Sequence, residues 1–266
     1  NEAANTGNLR HIVVRRGYHT GEIMIVLVTR TNKLFPTSKI LPAITEALPE
    51  VVSIIQNVNP SRTNKILGPE NIVLWGQDYF TDTLLGNTFQ ISASAFYQVN
   101  PTQTEKLYQT VLEYAELTGK ETVIDAYCGI GTISLSLAKE AKEVYGIEVV
   151  EAAVENAKNN AKLNGIENVT FEAGLAEEVM VEWAEKELAV DLLVVDPPRK
   201  GLEGSFIEAA LTMKPNKIIY VSCNPATLAR DLALLADGGY KVEKVQPVDL
   251  FPQTSHVESV TLLVKK

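Results

Sequence analysis

The 266-residue chain carries 24 Lys/Arg against 33 Asp/Glu, a formal net charge of −9, with 45% hydrophobic and 21% charged residues. That balance excludes a disordered or fibrous chain, and the strong negative sign argues against an unspecialised nucleic-acid coat. No apolar run approaches the roughly 20 residues a membrane-spanning helix needs. Only Cys128 and Cys223 are present, too few for a disulfide framework or a four-cysteine metal site, and no metal is expected.

The charge is uneven. Up to Ser94 there are eight Lys/Arg against seven Asp/Glu, and beyond it sixteen against twenty-six. The later acids fall mostly on helical patterns, where a solvated face is the ordinary reading. Arg10, Arg15, Arg16 and Arg30 in the first part are candidates for phosphate contacts. The chain begins at Asn1 without Met and with no signal peptide ahead of it. Residues upstream are therefore expected, along with a cytoplasmic, reducing setting and free thiols. A monomer is expected.

The first 94 residues read as a small α+β domain expected to touch RNA. Strands are predicted over residues 10–17 and 22–29 with a hairpin between them, and a short helix over 42–48 follows. Further strands are predicted over 51–56, 71–75 and 88–92. From residue 95 to 266 the rhythm changes to a catalytic domain. A helix over 102–117 repeats apolar residues at the spacing of one helical face. Strands at 122–126, 144–149, 169–173, 191–195, 217–222, 240–248 and 259–264 are then interleaved with helices at 132–139, 152–163 and from about 227. Alternating strands and helices with continuous apolar strands predict an α/β fold, a Rossmann-like sheet flanked by helices. Ligands of such sheets sit at the carboxyl ends of the strands.

Two groups of residues stand at that edge. Asp125-Ala-Tyr-Cys-Gly-Ile-Gly131 joins the first strand to its helix, and Gly129 and Gly131 allow a tight turn close to a ligand. Glu148 ends the next strand, where a carboxylate can accept hydrogen bonds from both hydroxyls of a ribose. Ser134 occupies the place of the third glycine of a dinucleotide motif. A nucleoside lacking pyrophosphate, such as S-adenosylmethionine, fits better than NAD. The second group is Asp196-Pro-Pro-Arg199 and Ser222-Cys-Asn-Pro225. Two prolines stiffen the first turn. In the second, Cys223 precedes a helix whose N-terminus is expected to favour the thiolate. Amine-directed methyltransferases carry a similar Pro-Pro turn followed by an aromatic residue, but Arg199 stands here instead. Cys128 is read as a small packed side chain.

These motifs, with Phe96-Tyr-Gln-Val-Asn-Pro101, Ser222–Asp231 and His256-Val-Glu258, resemble the RNA uracil-5-methyltransferase family, whose class I enzymes use S-adenosylmethionine. The resemblance covers most of the chain. It implies that Gln98, Tyr127, Glu148 and Asp196 contact S-adenosylmethionine with Thr132 nearby, that Cys223 is the nucleophile, and that Glu258 is the base. His256 is the alternative base, and Phe96 or Tyr97 could stack on the uracil. The implied product is 5-methyluridine in RNA, with 23S ribosomal RNA favoured and transfer RNA the alternative. Family members commonly add an N-terminal β-barrel domain, and some carry an iron–sulfur cluster on four cysteines; this stretch holds neither. An amine-directed methyltransferase or an RNA-binding module with a degenerate fold are the competing readings.

Overall fold

Five consecutive buried residues, Thr122–Ala126, form strand β7, and four more, Leu192–Val195, form β10. Strands apolar on both faces belong at the centre of a sheet covered on both sides, and these two are direct neighbours. The computed structural model describes residues 1, 4, 6–33, 36–62 and 64–266. Those residues divide into two compact units, Asn1–Ala95 and Phe96–Lys266.

The first unit builds a sheet in the order β1 (Leu9–Arg16), β2 (Ile23–Thr29), β3 (Val51–Val58), β4 (Glu70–Gly76), with β1 and β4 antiparallel to their neighbours and β2 parallel to β3. The parallel crossover runs through α1 (Thr37–Ala47). That helix starts five residues earlier than the sequence pattern suggests, and Pro42 stands inside it rather than at its start. One face of the sheet buries Ile25, Leu27, Val51 and Ile54. A second hairpin, β5 (Tyr79–Leu84) with β6 (Asn87–Ser92), has a first strand that the sequence reading missed, because its polar alternation Thr81-Asp82-Thr83 dilutes the apolar signal.

Two of the proposed phosphate ligands are already engaged. Arg15 is partly buried, and its guanidinium donates to the carbonyls of Ser92, Ala93 and Ala95 at 2.8, 3.2 and 2.9 Å. It also lies 5.2 Å from the centre of the Phe80 ring. Arg10 donates to the carbonyls of Asn59 and Ser61 at 2.8 and 2.6 Å. Arg15 therefore serves the fold rather than phosphates. The exposed Arg16 is not committed in this way.

The second unit opens with α2 (Pro101–Ala115) and then alternates: β7, α3 (Thr132–Ala138), β8 (Glu143–Glu148), α4 (Glu151–Leu163), β9 (Val169–Ala173), α5 (Ala176–Glu185), β10, α6 (Gly204–Met213), β11 (Lys217–Ser222), α7 (Pro225–Asp237), β12 (Tyr240–Val248) and β13 (Glu258–Lys265). Helices α5 and α6 were not read from the sequence. Their strands and turns dominate the local pattern, and both helices gain their order from the sheet face they cover. That face joins Ile124, Ala126, Leu193 and Tyr220 of the strands to Trp183, Phe206 and Leu228 of α5, α6 and α7.

The strand order is β12-β13-β11-β10-β7-β8-β9. From β7 the chain winds outward through β8 and β9, then returns to the other flank of β7 as β10. The order reverses between β7 and β10, and their carboxyl ends frame a crevice, the usual ligand position in such sheets. One strand runs the opposite way: β13 is inserted antiparallel between β11 and β12. Its first residue, Glu258, therefore arrives at the edge where the parallel strands end. Among the described residues, no helix is long and apolar enough to cross a membrane.

Candidate active site

At the end of β7 the backbone enters the left-handed region three times in five residues, at Tyr127 (φ 68°), Gly129 (φ 57°) and Gly131 (φ 85°). Such angles are costly for a side-chain-bearing residue like Tyr127 and free for glycine. The two glycines differ in purpose. A Cβ on Gly129 would meet open space, so its backbone is bare toward the cavity. A Cβ on Gly131 would fall 2.9 Å from the Phe171 ring, so this glycine lets α3 seat closely against β9.

Glu148 at the end of β8 is fixed by the backbone. Its carboxylate accepts the N–H of Gly129 at 3.0 Å and of Val150 at 2.9 Å, one on each oxygen. Each oxygen keeps a lone pair for a ligand hydroxyl. Behind the turn, the fully buried Asp125 accepts from Ser134 Oγ at 2.5 Å. Ser134, noted in the sequence only as a missing glycine, is the partner this carboxyl needs. Burial still raises the Asp125 pKa to about 7. Thr132 bonds the buried Tyr108 hydroxyl at 3.0 Å.

On the other flank, Asp196-Pro-Pro-Arg199 follows β10 and is braced from α7. Asn224 caps α7 by accepting the Ala226 N–H at 3.1 Å and donates to the Arg199 carbonyl at 3.0 Å. Thr227 Oγ1 reaches the same carbonyl at 3.2 Å. Arg230 holds the Lys200 carbonyl at 2.9 Å. The buried Asp231 accepts from the Leu202 N–H at 2.8 Å and the Tyr220 hydroxyl at 2.7 Å. The sequence reading valued Ser222–Asp231 for Cys223 alone and missed this brace. The Asn-Pro pair at a strand end was the available signal for a capped helix start.

Gln98, Tyr127, Gly129, Glu148, Asp196, Cys223 and Glu258 line one cavity of about 620 Å³, together with Phe96, Arg199, Phe251 and His256. Ile147, Leu175 and Ala176 add an apolar wall near Glu148. Two expected ligand residues, Gly131 and Thr132, lie outside this lining and support it from behind.

The helix N-terminus does not make Cys223 acidic, contrary to the sequence expectation. Burial raises its thiol pKa, and the nearby carboxylates of Glu258 and Asp196 add to the rise. The backbone N–H of Cys223 itself opposes the rise; at the helix start, Pro225 has no N–H and that of Ala226 is donated to Asn224. Arg199 opposes the rise. Glu258 is also raised, by burial, with Arg199 again in opposition. Asp196 is pushed to about 8 by burial and by the charges of Glu258 and Asp125. Cys128 is buried and raised well above an ordinary thiol. The cavity thus gathers acids with a shortage of cations. A ligand bearing positive charge would relieve it.

Two predictions follow from the electrostatics. Replacing Glu258 with Gln removes the charge that most raises the Cys223 thiol, so its pKa falls. Iodoacetamide should alkylate Cys223 faster at pH 8 in E258Q than in the unmodified protein, read by peptide mass; equal or slower alkylation contradicts this charge coupling. Asp196 holds its proton to about pH 8 when folded but releases it near the ordinary 3.8 when unfolded. Its stabilising contribution is present below pH 4 and lost as pH rises through 8. D196N should accordingly raise the melting temperature more at pH 9 than at pH 4.

The family model described as tRNA (uracil-5-)-methyltransferase matches residues 68–266. The chain belongs to this family. An uncharacterised RNA methyltransferase of Enterococcus faecalis is 66% identical over 265 residues, covering 100% of this chain and 58% of that protein. One from Listeria innocua is 54% identical with the same coverage. The chain therefore spans somewhat over half the length of these relatives. A crystal structure of the Pyrococcus abyssi tRNA (uracil-54, C5)-methyltransferase, in complex with S-adenosyl-L-homocysteine, superposes with a TM-score of 0.82 at 31% identity, over 98% of this chain and 61% of that one. Pyrococcus abyssi Trm5b, at 20% identity and a TM-score of 0.59, shares the fold.

Proposed function

We propose that this chain is the catalytic part of an S-adenosylmethionine-dependent RNA methyltransferase that forms 5-methyluridine through a transient bond between Cys223 and uracil C6. The observation that carries the reading is the convergence of a thiol, two carboxyls and a ribose-type carboxylate on one cavity. Residues 96–266 form the methyltransferase domain, and residues 1–95 contribute RNA contacts.

The donor set suits S-adenosylmethionine. Glu148 offers two free lone pairs to a ribose, Ile147, Leu175 and Ala176 offer an apolar wall to adenine, and the bare Gly129 backbone permits close approach. The acids of the cavity, short of cations, match a sulfonium and an ammonium. Gln98, Tyr127 and Asp196 complete the contacts, and Gly131 and Thr132 hold the turn. When bound, this cofactor supplies an electrophilic methyl group.

Uracil C5 is a weak nucleophile, and the protein's task is to change that. The target uridine is turned out of its stack to reach the cavity. Thiolate addition from Cys223 to C6 moves electron density onto C5, which splits one difficult step into easier ones. Once C5 bears the methyl group, Glu258 removes the C5 proton and the thiolate departs. Burial of Glu258 raises its basicity toward that task. Phe96, exposed at the cavity rim, offers a face for the base.

The RNA is proposed to be 23S ribosomal RNA, from the overall sequence resemblance. Transfer RNA is the second reading, favoured by what the Pyrococcus abyssi enzyme acts on. Incubation of the protein with methyl-labelled cofactor and each RNA separately, followed by nucleoside digestion, tests both. Label in 5-methyluridine is expected. Label on an exocyclic amine, or in no nucleoside of either RNA, overturns the reading.

A further inference from the structure

The segment 96–100 and the connection 249–257 between β12 and β13 form two walls of the same cavity, the first through Phe96 and Gln98, the second through Phe251 and His256. One side chain ties them together. Asn100 caps α2 with its carbonyl oxygen, accepting the Gln103 N–H at 3.3 Å and the Thr102 hydroxyl at 3.1 Å. Its amide nitrogen is thereby left to donate elsewhere, and it donates to the Leu250 carbonyl at 3.0 Å.

The tether meets the β12–β13 connection at its only deeply buried residue. Leu250 is 1% exposed, whereas every residue from Pro252 to Val257 is exposed. Beyond Leu250 the turn is held by its own bonds: the Thr254 N–H and hydroxyl meet the Phe251 carbonyl at 3.2 and 2.7 Å, and the His256 N–H meets Thr254 Oγ1 at 3.2 Å. Phe251 and His256 stand edge to face, ring centres 6.4 Å apart. The tether at Leu250 thus meets this turn one residue before Phe251, which lines the cavity. Glu258, by contrast, is already anchored by β13 pairing with β12 and β11.

We propose that Asn100 is a positioning residue: through the Leu250 carbonyl it sets the rim formed by Phe251 and His256, against which the flipped pyrimidine is presented to Cys223. The inference rests on the uridine methyltransferase reading above. Asn224 does the equivalent job on the opposite flank, capping α7 with its oxygen and holding the Arg199 carbonyl with its nitrogen. Both residues stand before a proline at the first position of a helix. The proline supplies the preset backbone and spares the asparagine one capping bond. The paired Asn-Pro steps thus brace the two loops that border the reacting base.

The capping and tethering roles can be separated. N100D keeps an oxygen for the Gln103 N–H but sets a second oxygen against the Leu250 carbonyl. The full chain carrying N100D should bind S-adenosylhomocysteine with unchanged affinity, and its melting temperature should fall less than that of N100A. Its rate of adduct formation with 5-fluorouridine RNA at limiting RNA should fall by about tenfold, the scale of one lost charge-free hydrogen bond. The maximal rate at saturating RNA should fall much less. N100A, which loses both bonds, should lower the melting temperature as well. An N100D protein that forms adduct at the normal rate overturns the proposal. So does one whose melting temperature falls in proportion to its rate, which would mark a purely structural role. Failure of the underlying reading is a separate outcome, because the unmodified protein would then form no adduct at all.

Discussion

C223A is expected to lower methyl transfer by at least about 10⁴-fold, near 5.4 kcal/mol of barrier, since the proposed addition to C6 has no other thiol in the cavity lining. Cys128 cannot substitute. It is buried behind the glycine turn with a strongly raised pKa. The same variant should form no denaturation-resistant complex with 5-fluorouridine RNA, whereas the unmodified protein should, because fluorine at C5 cannot leave as a proton does. Cofactor affinity should be retained, because the contacts proposed for ribose and adenine are Glu148, Ile147, Leu175 and Ala176, which this variant leaves in place. Measured turnover within about tenfold of the unmodified protein would remove the covalent mechanism and return the Asp196 turn to an amine-directed reading, since tenfold is only 1.4 kcal/mol of barrier.

Glu258 should fail at a different step. E258Q leaves the thiol free to add, and indeed more easily ionised, but removes the base proposed for the C5 proton. Turnover is expected to drop by about 10²–10⁴-fold, the usual worth of a positioned general base. The diagnostic result is accumulation of the protein–RNA adduct on ordinary uridine, without fluorine, visible on a denaturing gel. H256Q provides the comparison. His256 is exposed on the β12–β13 connection, and Glu258 is buried beside the thiol. Adduct build-up in H256Q and not in E258Q would transfer the base role to the histidine. The pH profile carries a further sign. Burial keeps Glu258 protonated above the ordinary carboxylate range, so the maximal rate of the unmodified enzyme should climb with pH over that raised limb.

Much of the architecture was legible in the chain because the central parallel strands are apolar on both faces. Thr122–Ala126 and Lys217–Ser222 fall where their apolar runs place them, and the more exposed outer strands Val169–Ala173 and Tyr240–Val248 also fall at the expected bounds. Helices α5 and α6 escaped because the apolar face of each is completed by the sheet. Arg15 was misread for a related reason. A lone arginine on a strand looks solvated in sequence, and only the folded unit shows three carbonyls converging on it. Cys223 shows the limit most clearly. Its position before a helix was legible, but the sign of its pKa shift was not. That sign depends on burial in the folded unit and on Glu258, thirty-five positions along the chain.

Local chemistry alone settled which residues have the capacity to react or bind: a thiol after a strand, a carboxylate at a strand end, a glycine turn, a stiff Pro-Pro step. These are properties of short segments, set by backbone preference and side-chain type, and they survive without knowledge of the fold. Convergence is another matter. The antiparallel insertion of β13 turns Glu258 toward Cys223, and two asparagine amides fix the loops on either side of them. Gly131 and Thr132 are drawn away from the cavity by packing against Phe171 and Tyr108. Those outcomes arise from contacts between segments far apart in sequence, where burial and neighbouring charge, rather than local pattern, decide what each group does.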